Sequence, residues 1–240
     1  MINIDSLKTS VQVFSETYQS LLEAKKNSGQ VLTVKSVWAE TMLRLLKIDL
    51  NIIGMMADTK PLLLVGNHIS YLDIVLLLKA NPDFSFVAKK EIASWPIFGN
   101  AAIAAQTIFV QRENSGSRAS ARQEIVKSLK NNQRVVIFPS GTTCLNELKS
   151  WKKGAFEIAL ENNIMIQPFR ISYSPIRPAA YIEKDFFPVH LYQLAVLKEI
   201  HAEIEFHPPV SVKDSIADCA FWSQWSRRAS NAPRKYETNN

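Results

Sequence analysis

Cysteine is nearly absent. Cys144 and Cys219 are the only two in 240 residues, far apart and in no metal-binding or redox spacing. That favours a reducing compartment. Long apolar runs are missing too: none approaches the roughly 20 residues that a membrane-spanning helix needs. The opening stretch MINIDSLKTS has neither the basic start nor the apolar core of a signal peptide. A soluble or peripheral protein is the expectation. Histidine is scarce, and His190, His201 and His207 stand in no ligand spacing, so no metal is implied. Internal repeats, low-complexity blocks and inter-domain linkers are also lacking.

What is there is ordinary in bulk and uneven in charge. Hydrophobic residues make up 47% and charged residues 21% of a chain long enough for one α/β domain with a substantial core. The formal charge of +6 points to an anionic partner such as nucleic acid, a membrane surface or a phosphorylated ligand. No nucleic-acid recognition motif accompanies it, and that class is set aside.

The stretch from Leu62 to Leu78, LLLVGNHISYLDIVLLL, organises the chain. A short apolar run ending in Gly66 reads as a buried strand, and the apolar pattern that follows reads as a helix. Polar groups at such a turn lie at the carboxyl end of a strand, where open α/β sheets place their ligands. His68 and Asp73 both fall there. Five residues along a helix rotate by about 140°, so the two meet only if His68 precedes the helix and Asp73 sits in its first turn. Ser70-x-x-Asp73 reads as the capping pattern that would start that helix. Asp73 would then accept a hydrogen bond from His68, fix its tautomer and leave the other ring nitrogen as a base. A cap residue beside an unrelated loop histidine has the same spacing.

Residues 4 to 27 and the segment after Asn27-Ser28-Gly29, through Leu50, carry apolar positions close to helical spacing. They predict a helical hairpin, packed on the core or lying in a membrane interface with Trp38 at headgroup depth. Strands are expected at 84–88, 107–110, 134–138, 164–171 and 202–206, and helices at 118–131, 152–163, 189–200 and 213–230. The small-residue stretch Ser94 to Gln106 allows either close helix packing or room for an alkyl chain. The alternation predicts an α/β fold: a mixed, largely parallel sheet flanked by helices, preceded by the N-terminal hairpin. The expected organisation is an N-terminal helical segment over 1–50, the main domain over 51–230 and a polar tail over 231–240.

Four motifs in order then resemble the glycerolipid acyltransferase family that contains the 1-acylglycerol-3-phosphate acyltransferases. Asn67, His68, Ser70 and Asp73 match its Asn-His-x-Ser-x-x-Asp motif. Phe86-Val87-Ala88-Lys89, Pro96-x-Phe98-Gly99 and Phe109-Val110-Gln111-Arg112 match its second region. Phe138, Pro139, Gly141 and Thr142 match Phe-Pro-Glu-Gly-Thr, with Ser140 where the family has glutamate. Lys152-Lys153-Gly154-Ala155 and the strand around Pro168 are also similar. The resemblance covers roughly Trp38 to Pro209. It implies acyl transfer from acyl-CoA or acyl carrier protein to a lysolipid hydroxyl, on the cytoplasmic face of the cell membrane and without a cofactor. By position, His68 is the general base and Asp73 orients it. Arg112, or Lys89 as a second candidate, would meet an acceptor phosphate, and Ser140, Gly141 and Thr142 would line the substrate site. Arg134, Lys152 and Lys153 are candidates for CoA phosphates or an acidic carrier protein; solvated charge is the alternative for each.

Two departures bear on substrate. Thr143 stands where many phosphatidate-forming members have arginine, and Gly-Thr-Thr is more similar to members that acylate lyso-ornithine or other phosphate-free lysolipids. Ser140 removes a carboxylate, which leaves open a non-catalytic lipid- or membrane-binding protein on the same scaffold. A thioester hydrolase would use the same base.

Overall fold

The computed structural model describes residues 3–111, 115–145, 149–182 and 185–231. The chain opens with two helices, α1 (Ile4–Lys26) and α2 (Val31–Leu45). It continues through β1 (Ile48–Ile53), β2 (Leu62–Gly66), α3 (Leu72–Ala80), β3 (Phe84–Lys89), α4 (Phe98–Ala104) and β4 (Ile108–Val110). Next come α5 (Ser115–Lys130), β5 (Arg134–Ile137), α6 (Gly154–Glu161) and β6 (Ile166–Ser174). A one-turn α7 (Ile176–Ala179), then α8 (Phe187–Val196), β7 (Ile200–Phe206) and α9 (Ser215–Asn231) complete it.

The seven strands form one sheet in the order β1-β7-β6-β2-β5-β3-β4. All neighbours are parallel except β6 and β7, which run antiparallel. The mixed, largely parallel sheet flanked by helices is thus as the sequence predicts. β2 is buried along its whole length, as a central parallel strand covered on both faces must be. Its side chains alternate between two cores: Leu62 and Leu64 join the helices α1, α2, α3 and α8, while Leu63 and Val65 meet α5, α6 and α9.

Several expectations change. Ile48–Ile53 is a strand, not the end of a helix, and it crosses the expected boundary at 50/51 to pair with β7. The helical spacing expected through Leu50 takes in only its first half, and as an edge strand it is only partly covered. Trp38 turns inward, its indole N–H donating to Thr17 Oγ1 at 3.0 Å and tying α2 to α1. Arg134 is buried at the amino end of β5 and pairs with Asp58 and Asp83, so it is a structural ion-pair residue rather than a contact for CoA.

Candidate active site

β2, β5 and β3 lie side by side and parallel, so their carboxyl ends open on one edge of the sheet. That topology gathers motifs separated in sequence: the His68 turn after β2, the Phe138–Thr143 turn after β5, and Lys89 at the end of β3.

The His68 loop is held from three sides. Asn67 pairs with β6 like a strand residue, its amide exchanging two 2.7 Å hydrogen bonds with the Ile171 backbone. Cys144 N–H donates to the His68 carbonyl, and Tyr181 N–H to that of Ile69. Within the loop, His68 Nδ1 lies 2.7 Å from Asp73 Oδ2. The same oxygen accepts from the backbone N–H groups of Ile69 and Ser70, at 2.7 and 3.1 Å. Oδ1 accepts from the Tyr173 hydroxyl at 2.6 Å. This fully buried carboxyl already accepts three hydrogen bonds from two backbone N–H groups and a hydroxyl, an arrangement that presents Oδ2 to His68 as an acceptor too. The Nδ1 proton of His68 therefore points at Asp73, and the basic lone pair sits on Nε2.

The expected capping box forms by half. Asp73 reaches back to the Ser70 N–H, but the Ser70 hydroxyl has no partner among the described residues, and Tyr71 is the residue preceding the helix. The acid that orients His68 is thus also the local helix-start anchor. The alternative, a cap residue beside an unrelated loop histidine, is excluded by the 2.7 Å contact between the two side chains.

The imidazole is stacked on Phe138, 3.9 Å between centroids and 11° between planes, and Phe138 rests edge-on against Phe169. Gly66 makes room for that arrangement: a Cβ there would lie 2.4 Å from the Phe169 ring. Beside it, the Tyr71 hydroxyl donates to His190 Nδ1 at 3.0 Å while His190 Nε2 donates to the Ala180 carbonyl. Burial pushes the Tyr71 hydroxyl well above its ordinary range and lowers the His190 imidazole, so both remain neutral. Tyr173 is raised too, first by burial and then by Asp73, and stays a proton donor to that carboxylate.

His68 opens onto a cavity of about 650 Å³. Gly141, Thr142, Thr143 and Lys89 line its polar mouth, and the small-residue stretch contributes Ala101, Ala102, Ala104 and Ala105 to its apolar body. Both readings of this stretch hold: α4 packs against α1 and its alanines also face the cavity. Gly141 adopts φ +77°, a left-handed turn that suits glycine. Ser140 is buried and its hydroxyl donates to the Thr142 carbonyl within its own turn, so it shapes the loop and does not face the cavity. Arg112 lies outside the described residues. Tyr173, Tyr71 and His190 gave no signal in the sequence reading, because their partners are remote along the chain.

An α/β sheet carrying a histidine paired with a buried acid beside an apolar cavity defines a class suited to chemistry on an alkyl-bearing substrate. Residues 47–172 match the family described as Acyltransferase, and the chain belongs to that family. It is 35% identical over 147 residues to the lyso-ornithine lipid O-acyltransferase of Rhizobium meliloti, covering 58% of this chain and 50% of that one. To the protein of the same name in Brucella abortus it is 29% identical over 207 residues, 78% of this chain and 77% of the relative. The chain thus spans from half to about three-quarters of the length of these relatives. The crystal structure of the 1-acyl-sn-glycerophosphate acyltransferase PlsC from Thermotoga maritima superposes with a TM-score of 0.73 at 18% identity, over 98% of this chain and all of that one, and so shares its fold.

Proposed function

We propose that the protein is an O-acyltransferase that moves a fatty acyl group from a thioester donor, acyl-CoA or acyl carrier protein, to the free hydroxyl of a lysolipid. His68 Nε2 takes the hydroxyl proton as the oxygen attacks the thioester carbonyl, with Asp73 steadying the imidazolium that forms. Collapse of the tetrahedral intermediate expels the donor thiolate, which recovers the proton from His68. The thioester carries the activation, so the proposal assigns no cofactor. The observation that carries this reading is the His68–Asp73 pair at 2.7 Å, set at the mouth of an apolar cavity.

We assign the acceptor to phosphate-free lysolipids, lyso-ornithine lipid among them. Thr143 at the mouth brings no second cation beside Lys89 for a phosphate, and relatives bearing that name support the choice. We also propose a peripheral seat on the cytoplasmic face of the cell membrane. No helix among the described residues is long and apolar enough to cross a membrane, while α1 carries an outward stripe of Ile4, Leu7, Val11, Tyr18 and Leu22.

The test is a purified-protein assay with a labelled acyl thioester and lysolipids with and without phosphate. Acylated lipid and free thiol in equal amounts, with higher kcat/KM for the phosphate-free acceptor, is the expected result. Thiol release with free fatty acid alone makes the protein a hydrolase, and lipid binding with no thiol release makes it a non-catalytic binder. A preference for 1-acylglycerol-3-phosphate contradicts the acceptor assignment only.

A further inference from the structure

Away from the cavity, one side of α5 carries charge that the transfer site does not use. A groove of about 450 Å³ runs along it, with Arg122, Lys127 and Lys130 among its lining residues and no acidic one. Arg122 and Lys130 are eight residues apart, about 12 Å along the helix. At its Arg122 end the groove meets the start of α6, where the guanidinium donates to the Gly154 carbonyl at 3.5 Å, next to Lys152 and Lys153. The Lys152 N–H in turn donates to the carbonyl of Pro139, two residues before Gly141 of the cavity mouth. The cations therefore form one strip, from the far half of α5 to the edge on which His68 opens.

Part of this charge is spent locally. Arg122 pairs with Glu157 and Glu161 of α6 at 3.7 and 2.6 Å, and Lys153 with Glu157 at 3.1 Å. Lys127 has only the exposed Glu124, at 3.9 Å, a contact worth little in water. Lys130 and Lys152, both exposed, form no ion pair among the described residues, so the strip stays positive. Its position narrows the occupant. The apolar stripe of α1, the proposed membrane seat, belongs to the sheet face covered by α1, α2, α3 and α8, whereas α5 and α6 cover the other. A bilayer against α1 leaves the strip facing away from lipid. The phosphates of one small donor would call for a compact cluster, and these cations are spread over two turns of α5 and on to α6.

We infer that the strip is a docking surface for an acidic acyl carrier protein, which delivers its thioester to His68 across the start of α6. The inference rests on the proposed transfer reaction and gives one of its two donors a surface of its own. Charge of this kind steers encounter and fixes register more than it adds affinity.

The experiment measures transfer to one detergent-dispersed lysolipid from an acyl carrier protein and, separately, from acyl-CoA with the same chain. Wild type is compared with the double variant Lys127→Glu, Lys130→Glu, whose side chains are exposed and outside the cavity. With the carrier protein, KM should rise about tenfold at low salt while kcat holds, the behaviour of reversed charges at an interface rim. Added salt should weaken wild-type transfer from the carrier and close the gap between the two proteins. With acyl-CoA the two should be alike. Lys127→Gln with Lys130→Gln should show the same pattern at smaller amplitude, and it keeps the test alive if the charge reversal does not fold. Equal loss with both donors, or carrier kinetics untouched by the substitutions, overturns the inference and leaves the transfer reaction standing. Wild type that uses acyl-CoA alone does the same. Weakened binding to vesicles containing anionic lipid, with carrier kinetics intact, overturns it in favour of a membrane. Wild type that acylates no lysolipid from either donor strikes the transfer reaction, and the inference with it.

Discussion

Asp73 carries more of the site than its place in a two-residue motif suggests. It accepts from His68, from two backbone amides and from Tyr173, so it fixes the base, starts α3 and joins β6 to the loop. Replacing Tyr173 with phenylalanine removes one of four bonds to a buried carboxylate, and hydrogen bonds to charged groups contribute about 1.5–3 kcal/mol each. Urea denaturation should show a loss in that range. The transfer assay should show kcat falling with KM little changed, because Tyr173 touches Asp73 and not the cavity. A kcat equal to wild type contradicts the positioning role. His68 and Asp73 were legible in the sequence because one turn contains both, and the geometry of a helix start limits where they can point. Tyr173 lies 100 residues from Asp73, and nothing local marks it. Ser140 was legible as a departure but not in its consequence: its hydroxyl closes on Thr142, a contact that depends on the conformation of the turn.

The elements deliver these residues to one edge. Parallel pairing of β2, β5 and β3 makes three strand ends coincide, and the aromatic path from Phe169 through Phe138 to the imidazole sets the ring's tilt. Gly66→Ala puts a methyl group into the Phe169 ring. Overpacking of this kind costs about 1–3 kcal/mol, and the displaced ring passes the shift to Phe138 and His68. A lowered urea midpoint together with reduced kcat is the expected outcome; reduced stability with unchanged kcat would mean that the stack does not position the base. Alternation of apolar runs and helical patterns made most strands legible, since buried parallel strands are short, apolar and bounded by turns. β1 escaped because an edge strand need not be continuously apolar, and its sequence follows α2 without a glycine or proline to mark the change. The hairpin of α1 and α2 was legible by its spacing, whereas its role as the wall of the cavity depends on its packing against α3 and α8.

At the scale of the whole molecule, the cavity lies between the sheet and the N-terminal helices, and the exposed stripe of α1 lies outside it. Exchanging Leu7, Val11 and Leu22 for glutamine removes exposed apolar side chains that do not line the cavity. Co-sedimentation with lipid vesicles should weaken about tenfold or more, from the apolar area no longer buried in the interface. Transfer to detergent-dispersed lysolipid should stay near wild type, and unchanged vesicle binding would exclude this face as the membrane seat. The account as a whole turns on proton removal by His68. Steady-state transfer by His68→Ala, with folding checked by circular dichroism, tests that most directly. Loss of about 10²–10⁴-fold in kcat/KM from a folded protein is the predicted result, and transfer close to wild type would contradict it.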